Sequence, residues 1–307
     1  MILSLSYLEI MYLGMFGVIT LYGYLIGIVE AKLPASFTQF YSYGKFSLLK
    51  GQKRLAAHLE VSKSSFRHFY IFASLWSTVI LYIVLRTCVI GKPVLESIIQ
   101  FLDFFCGKNR SAKNTPLEAL LAIICIFAQC FRRFWETHFL QTFSRSSCMH
   151  IIHYFISYLH YFGVPLATLN NAQGFVTTTG NTLVSREQFT WRIIIPTAVF
   201  AFAWWHQFRS NVILARLRRD SKGNVVTEKH SIPRGGFFEV VSSPHMMFEC
   251  LIYLSLILML PGNTLWLLIC LWVVSNQCQV AHWTHEWYKE NFPEYPKERK
   301  AIIPWTF

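Results

Sequence analysis

Four clusters of polar residues interrupt the apolar runs of this 307-residue chain, and each contains side chains that can do chemistry. The first cluster has the spacing i, i+3, i+4 and i+7, so its members share one face of a helix, and Arg132 can pair with Glu136 on that face. Such a cluster is either a stripe at a membrane interface or the polar wall of a substrate cavity. We predict that Gln129, Arg133 and Glu136 line a substrate cavity.

The second cluster is rich in arginine. Its members are His206, Gln207, Arg209, Asn211, Arg216, Arg218 and Arg219. Guanidinium groups combined with amides can bind a phosphate-rich ligand through paired hydrogen bonds. Retention of basic residues on the cytosolic side of a membrane would produce the same pattern. The cluster therefore indicates either a phosphate-binding site or a positively charged cytosolic edge.

The third cluster opens a predicted helix. Ser243-Pro244 is a typical helix start because proline suits the first turn. That start places His245 and Glu249 one turn apart on the same helix face. A Gly-Gly pair just before it allows close backbone approach or a positive φ. Polar residues at membrane depth are costly and usually functional, so we predict a functional role for both side chains.

The fourth cluster lies near the C-terminal end. His282 and His285 are three residues apart, but the HxxHE spacing matches neither HExxH nor HxxEH, so no metal site is predicted. Tyr288 follows one turn later and is a candidate proton donor. The sequence has no GxGxxG after a strand, no P-loop and no GxSxG. A nucleotide would therefore be held by helix ends and loops.

The elements that must position these clusters are long and apolar. The chain is 53% apolar and 14% charged, whereas soluble proteins are about 25% charged. A spanning helix needs roughly 20 mostly apolar residues. The candidate runs are 5–31, 66–90, 116–134, 149–169, 191–208, 246–260 and 264–281. The tight turn Pro261-Gly262 between the last two predicts a helical hairpin. The seven runs predict an all-α membrane protein with about seven transmembrane helices, forming a single membrane domain over 1–307.

Basic residues predict the orientation of these helices. Most of the 28 lysines and arginines fall in 32–65, in 209–245 and in the C-terminal tail. Because Lys and Arg are held on the cytosolic side during insertion, we predict a lumenal N-terminus and a cytosolic C-terminus. The glycosylation sequon Asn109-Arg110-Ser111 then falls in a lumenal loop. Charges segregated by membrane side do not suit nucleic acid, so no nucleic-acid partner is expected.

The eight cysteines form no CxxC pair and lie mostly in or beside apolar stretches. This pattern favours packed thiols over a zinc site or a disulfide framework. A disulfide between Cys88 and Cys106, across one loop, is the alternative.

Long motifs in the C-terminal third resemble a known family. The segments IPRGGFFEVVSSPHMMFE at 232–249 and HEWYKENFPEYPKERKAIIPWTF at 285–307 resemble the C-terminal signature of the steroid 5-alpha-reductase family. Three further segments resemble the branch of that family that acts on polyprenyl lipids: SYGK at 42–45, FRHFYIFASLW at 66–76 and QCFRRFWETHFLQTFS at 129–144. The resemblance covers nearly the whole chain and is strongest over 205–307.

The resemblance implies an NADPH-dependent reductase of an activated carbon–carbon double bond. It also implies seven transmembrane helices in the endoplasmic reticulum and a role in making dolichol for N-glycosylation. Residues 205–307 would be the catalytic and cofactor-binding region. The substrate would be a long-chain isoprenoid lipid, and we expect a monomer.

Motif positions in the family imply which residues contact the cofactor. These are Gln207, Asn211, Arg218, His245, Glu249 and Tyr288. The extra phosphate of NADPH needs guanidinium or ammonium partners. The available ones are Arg218, Arg219, Lys297, Arg299 and Lys300. Steroid-reducing members carry a tyrosine where this chain has Cys130, and that departure weighs against a steroid substrate.

The chemistry of the double bond limits the substrate further. Hydride adds readily only when the developing charge is delocalised, so a polyprenyl lipid is predicted to react as its aldehyde, polyprenal. A donor must stabilise the enolate oxygen. Candidates for that donor, or for the proton source at the α-carbon, are Tyr288, His245, His68 and Tyr70. The alternatives are a steroid reductase, a trans-enoyl-CoA reductase of the same superfamily, and a non-catalytic lipid-binding protein.

Overall fold

The computed structural model describes residues 5–29, 60–143, 148–177, 182–219, 225, 227 and 230–307, and these residues are mostly helical. The helices of this part of the chain are α1 (Tyr7–Val29), α2 (Phe66–Cys88), α3 (Glu96–Cys106), α4 (Pro116–Trp135), α5 (Ile151–Leu169), α6 (Trp191–Arg216), α7 (Pro244–Met259) and α8 (Thr264–Asn291). A π-helical turn, Glu136–Leu140, continues α4. Most of the basic segment 32–65, the SYGK motif, Arg145, Lys222 and Lys229 lie outside the described residues.

Each of the seven predicted apolar runs forms a helix. Within the described residues, two helices, Lys63–Cys88 and Thr264–Asn291, are long and apolar enough to cross a membrane, and Tyr7–Leu21 and Pro244–Met259 are shorter apolar helices. The seven-span arrangement and the orientation of the termini remain predictions.

Two helices extend further than their apolar runs. The fifth run was predicted to end at 208, but α6 continues to Arg216, since no glycine or proline lies between 209 and 216. The seventh was predicted to end at 281, but α8 continues to Asn291, where Phe292-Pro293 follows. A hydropathy criterion stops at the first charges, whereas a helix stops at a breaker. Asn211 and Tyr288 therefore lie on helices, and not in a loop and a tail.

Two elements were missed by the sequence analysis. Helix α3 has 11 residues, too few for a spanning run, and it buries Ile99, Leu102 and Cys106 on one face. The strands β1 (Glu60–Ser62) and β2 (Cys148–His150) pair antiparallel, so the prediction of an all-α chain is wrong in this detail. Three-residue strands give too short an alternation to be recognised in sequence.

Local signals fix several helix ends as predicted. Pro244 occupies the first turn of α7. Pro261-Gly262 makes the turn between α7 and α8, with Gly262 at a φ of 75°, a conformation that favours glycine. The Asn263 side chain then caps α8 by accepting a hydrogen bond from Trp266 N at 3.2 Å. The result is a helical hairpin whose two members both reach the site.

The helices that position the site pack in a connected group. Helix α7 packs against α6 and α8, α2 packs against α4 and α5, and α1 packs against α8. All eight cysteines are free thiols, six of them buried, so the prediction of packed thiols is confirmed and Cys88 and Cys106 are not bridged.

The sequon lies in an exposed position that a glycosyltransferase could reach. Arg110 is anchored by Asp103, at 2.7 Å, and donates to Phe175 O at 2.7 Å, while Asn109 is exposed. If the loop is lumenal, Asn109 is expected to carry a glycan in eukaryotic cells. Treatment with endoglycosidase H should then increase the electrophoretic mobility of the wild-type protein and leave that of Asn109→Gln unchanged. A wild-type protein that shows no shift would contradict the lumenal placement of this loop.

Candidate active site

A cavity of about 590 Å³ lies between α2, α5, α6, α7 and α8. This volume falls within the range of about 300–1,000 Å³ typical of ligand sites. Eight of the residues predicted from the sequence line the cavity: Tyr70, Arg133, Gln207, Asn211, Arg218, His245, Glu249 and Tyr288. Residues up to 218 positions apart in sequence thus share one hollow.

The His245 and Glu249 side chains lie on the cavity face of α7, as their spacing predicted. Tyr253 occupies the next position of the same row, four residues further on. The row exists because Pro244 fixes the start of α7 and the helix then runs without interruption to Met259. One helix thereby supplies three cavity-lining side chains at intervals of about 6 Å.

Glutamine side chains hold Glu249 in place. Gln129 Nε2 donates to Glu249 Oε2 at 3.0 Å and to Gln207 Oε1 at 3.0 Å. Gln207 Nε2 donates to Glu249 Oε2 and, at 3.0 Å, to the carbonyl oxygen of His245. Gln129 was predicted to line the cavity, but it lies behind the lining, where it orients two residues that do. Gln129 therefore supports two lining residues and does not itself reach the cavity.

A second part of the polar network centres on Glu136, which is fully buried. The predicted pair with Arg132 is present, Nε to Oε1 at 3.4 Å, and Arg133 forms a second ion pair with the same carboxylate. Asn211 Nδ2 donates to Glu136 Oε2 at 2.9 Å. Burial of this cluster does not fit a stripe of exposed interfacial charges. Glu136 is absent from the cavity lining because these three partners enclose it.

Arg133 connects this buried cluster to the cavity. Its Nε donates to Tyr70 Oη at 3.2 Å, and its guanidinium carbon lies 5.2 Å from the centre of the Tyr70 ring. Tyr70 therefore has one lone pair occupied and keeps its own hydrogen for another acceptor. His68 lies two residues earlier on α2, is exposed outside the cavity, and is 3.2 Å from Tyr154 Oη. Two residues correspond to a turn of about 200° around a helix, which separates the two candidates.

Lys297 and Arg299 also lie outside the cavity lining. Lys297 is exposed. Arg299 is buried, donates to Pro233 O at 3.1 Å and lies 3.7 Å from Glu239. Its guanidinium carbon is 5.2 Å from the Tyr295 ring, which stacks on Tyr288 with centroids 5.4 Å apart. Arg299 therefore supports, from behind the cavity lining, the wall that carries Tyr288.

The two ends of the cavity differ in charge. Three cationic side chains, Lys63, Arg133 and Arg218, line it against one carboxylate. Arg218 Nη1 donates to Thr142 O at 2.7 Å, which fixes the guanidinium near the end of α6. The cavity then follows α8 from Tyr288 to Trp272, 16 residues or about 24 Å. The electrostatics favour an anion near Arg218, and the far end is aromatic.

Several lining residues were not predicted. They include Lys63, His160, Tyr161, Tyr253, Asn276 and Gln277. The polar pair Asn276-Gln277 inside an apolar run is a signal that the sequence did contain, because polar residues there are costly. His160 and Tyr253 carried the same signal within their own runs. Lys63 had none, because it lies in a basic segment whose charges all look alike.

Comparison with known proteins places the chain in a family. The family described as 3-oxo-5-alpha-steroid 4-dehydrogenase matches residues 163–307. A protein named polyprenal reductase from Drosophila melanogaster is 41% identical over 98% of this chain and 93% of its own length. The one from Xenopus tropicalis is 33% identical, with 90% and 89% covered, and the human one is 29% identical, with 89% and 86% covered. With similarity extending along almost the full length of both partners, the chain belongs to the polyprenal reductase branch of the steroid 5-alpha-reductase family.

Proposed function

We propose that this protein is an oxidoreductase of the endoplasmic reticulum membrane that reduces the α,β double bond of polyprenal with NADPH. The product, dolichal, leads to the dolichol that protein N-glycosylation requires. The observation that carries the proposal is a single cavity with a cationic end and an aromatic end, lined by His245, Glu249 and Tyr288. The names of the relatives from fly, frog and human support the same substrate.

The residues of the cavity fit a phosphorylated dinucleotide. Arg218 and Lys63 both line the cavity, and neighbouring cations attract an anionic ligand. We assign the phosphates to them, with Gln207 and Asn211 as amide partners and Tyr288 as a ring that the ligand can stack on. His245 and Glu249 complete the contacts. When bound, NADPH supplies the hydride.

The protein's own groups stabilise the charge that develops on the substrate. Hydride addition to an enal moves negative charge onto the carbonyl oxygen, where a fixed hydrogen-bond donor is worth most. Tyr70, His245 and Tyr288 remain candidate donors because all three line the cavity. His68 is dropped from this role because it is exposed outside the cavity.

The isoprenoid tail needs no polar recognition. Each methylene removed from water is worth about 0.8 kcal/mol, and the tail lies among apolar helix faces or in lipid. Cys130 stands where steroid-reducing members have a tyrosine; it is buried outside the cavity lining, with its carbonyl oxygen accepting from Ser74 Oγ at 3.2 Å. That position supplies no hydroxyl for a steroid ketone, which favours a polyprenyl aldehyde.

The membrane arrangement follows the same proposal. We place seven helices across the endoplasmic reticulum membrane, with the N-terminus lumenal and the C-terminus cytosolic, so that the arginine-bearing end of the cavity meets the cytosolic NADPH. The protein acts as a monomer, without nucleic acid. The single membrane domain over 1–307, with 205–307 as its catalytic and cofactor-binding region, is part of this proposal.

Substrate choice provides the direct test. Purified protein in detergent is expected to oxidise NADPH with a short polyprenal and not with the matching polyprenol, because only the aldehyde delocalises the incoming charge. A 3-oxo-Δ4 steroid and an enoyl-CoA are tested beside it and should be poor acceptors. Equal rates with the alcohol would contradict the enal chemistry. No NADPH oxidation with any acceptor would point to a non-catalytic lipid-binding protein.

A further inference from the structure

The aromatic end of the cavity contains a buried histidine–tyrosine pair that the proposed function has not used. His160 on α5 and Tyr253 on α7 both line the cavity, and His160 Nε2 lies 2.8 Å from Tyr253 Oη. His160 is 8% exposed and Tyr253 is 5% exposed. Tyr12 Oη donates to the carbonyl oxygen of His160 at 2.9 Å and thereby fixes this turn of α5 against α1. The backbone that carries His160 is thus held by a third helix, α1.

The hydrogen-bond partners of His160 determine which of its ring nitrogens carries the hydrogen. Its other ring nitrogen, Nδ1, is buried and has no hydrogen-bond partner among the described residues. An unsatisfied buried N–H is rarer than an unsatisfied acceptor, and a neutral imidazole carries only one hydrogen. The hydrogen is therefore on Nε2, which donates to Tyr253 Oη. The hydroxyl hydrogen of Tyr253 is left for an acceptor in the cavity.

We propose that Tyr253 is a catalytic residue that binds the carbonyl oxygen of the enal, and that His160 is the positioning residue that directs its hydroxyl. This inference rests on the proposed function and names the donor that function requires. The location supports it, because Tyr253 lies one turn beyond Glu249 on the same face of α7, toward the aromatic end. The free-energy cost of placing an uncharged isoprenoid head group is lower there than beside the charged Arg218.

The step balances without any change in the protonation of Tyr253. Hydride forms a bond to the β-carbon, the π electrons of the carbon–carbon double bond move between the α-carbon and the carbonyl carbon, and the carbonyl π pair moves onto oxygen. Tyr253 donates a hydrogen bond to that enolate oxygen and keeps its proton. The α-carbon then takes one proton that comes from solvent. One hydride and one proton are consumed, and the saturated aldehyde leaves.

Replacing the hydroxyl tests the proposal with little risk to folding. Tyr253→Phe is expected to lower kcat for polyprenal by about 100- to 1,000-fold, the cost of losing one oxyanion donor, with the Kd of NADPH unchanged. His160→Leu should lower kcat at least about tenfold. His160→Gln should recover most of the loss, because the Gln amide can donate from the same place. Ser255→Ala is the matched control, since it removes a buried hydroxyl from the same helix, one that bonds Ile252 O at 2.7 Å outside the cavity lining, and it should leave kcat unchanged.

The outcomes distinguish failure of the Tyr253 role from failure of the proposed function. If wild-type protein does not oxidise NADPH with polyprenal, the proposed function fails and this inference fails with it. If wild-type protein is active and Tyr253→Phe keeps full kcat, only the role of Tyr253 is overturned. A loss in kcat matched by an equal loss in NADPH affinity, or an equal loss in Ser255→Ala, would show a structural effect and would also overturn it.

Discussion

Glu136→Ala is expected to destabilise the protein by about 3–5 kcal/mol, the usual cost of leaving buried charges without their partner. The substitution removes the carboxylate that pairs with Arg132 and Arg133 and accepts a hydrogen bond from Asn211. Both guanidinium groups then remain in a region from which water is largely excluded. The apparent Tm in detergent should fall by roughly 10 °C. A thiol-reactive fluorescent dye can follow unfolding, because six of the eight cysteines are buried.

Two further variants show whether the loss arises from charge. Glu136→Gln keeps an oxygen that can accept from Asn211 but removes the negative charge, so its Tm should lie between those of wild type and Glu136→Ala. Glu286→Ala breaks an exposed pair with Lys289, which is worth at most about 1 kcal/mol. A Tm for Glu136→Ala as close to wild type as that of Glu286→Ala would contradict the view that the buried cluster depends on its carboxylate.

Local sequence rules predicted the helices and those helix ends that proline or glycine marks. The start of α7 at Pro244 and the turn at Pro261-Gly262 depend on residues within one turn, so the sequence alone indicated them. The extension of α8 past 281 was not recognised, because hydropathy indicates whether a segment is buried in an apolar environment and not whether its backbone is helical. The sequence analysis therefore placed Tyr288 in the C-terminal tail, whereas it lies on α8.

The composition of the site was predictable where neighbours in sequence stay neighbours in space. His245 and Glu249 could be paired from their spacing, and so could Arg132 and Glu136. The buried position of Arg299 could not be predicted, because its partner Glu239 lies 60 positions earlier in the chain and no local pattern reveals it. His160 and Tyr253 are 93 positions apart, and only the packing of α5 near α7 brings them together.

Arg218→Ala is expected to raise the KM for NADPH by about 10- to 100-fold, which corresponds to the loss of about 1.5–3 kcal/mol from a hydrogen bond to a charged group. The KM for NADH should change much less, because NADH lacks the phosphate that we assign to Arg218. The preference for NADPH should therefore shrink. Steady-state kinetics with both cofactors, at saturating polyprenal, measure the effect.

The control for this change is a residue that has the same charge but lies outside the cavity. Lys297 is exposed and absent from the lining, so Lys297→Ala should leave both KM values within about twofold, well below the loss of one charged hydrogen bond. Arg218→Lys keeps the charge and loses the planar fork, and should fall between wild type and alanine. If Arg218→Ala raised the KM values for NADPH and NADH equally, Arg218 would be assigned to a phosphate that both cofactors share. A larger effect from Lys297 than from Arg218 would place the cofactor outside this cavity, because a cation can select a phosphate only where the two come into contact.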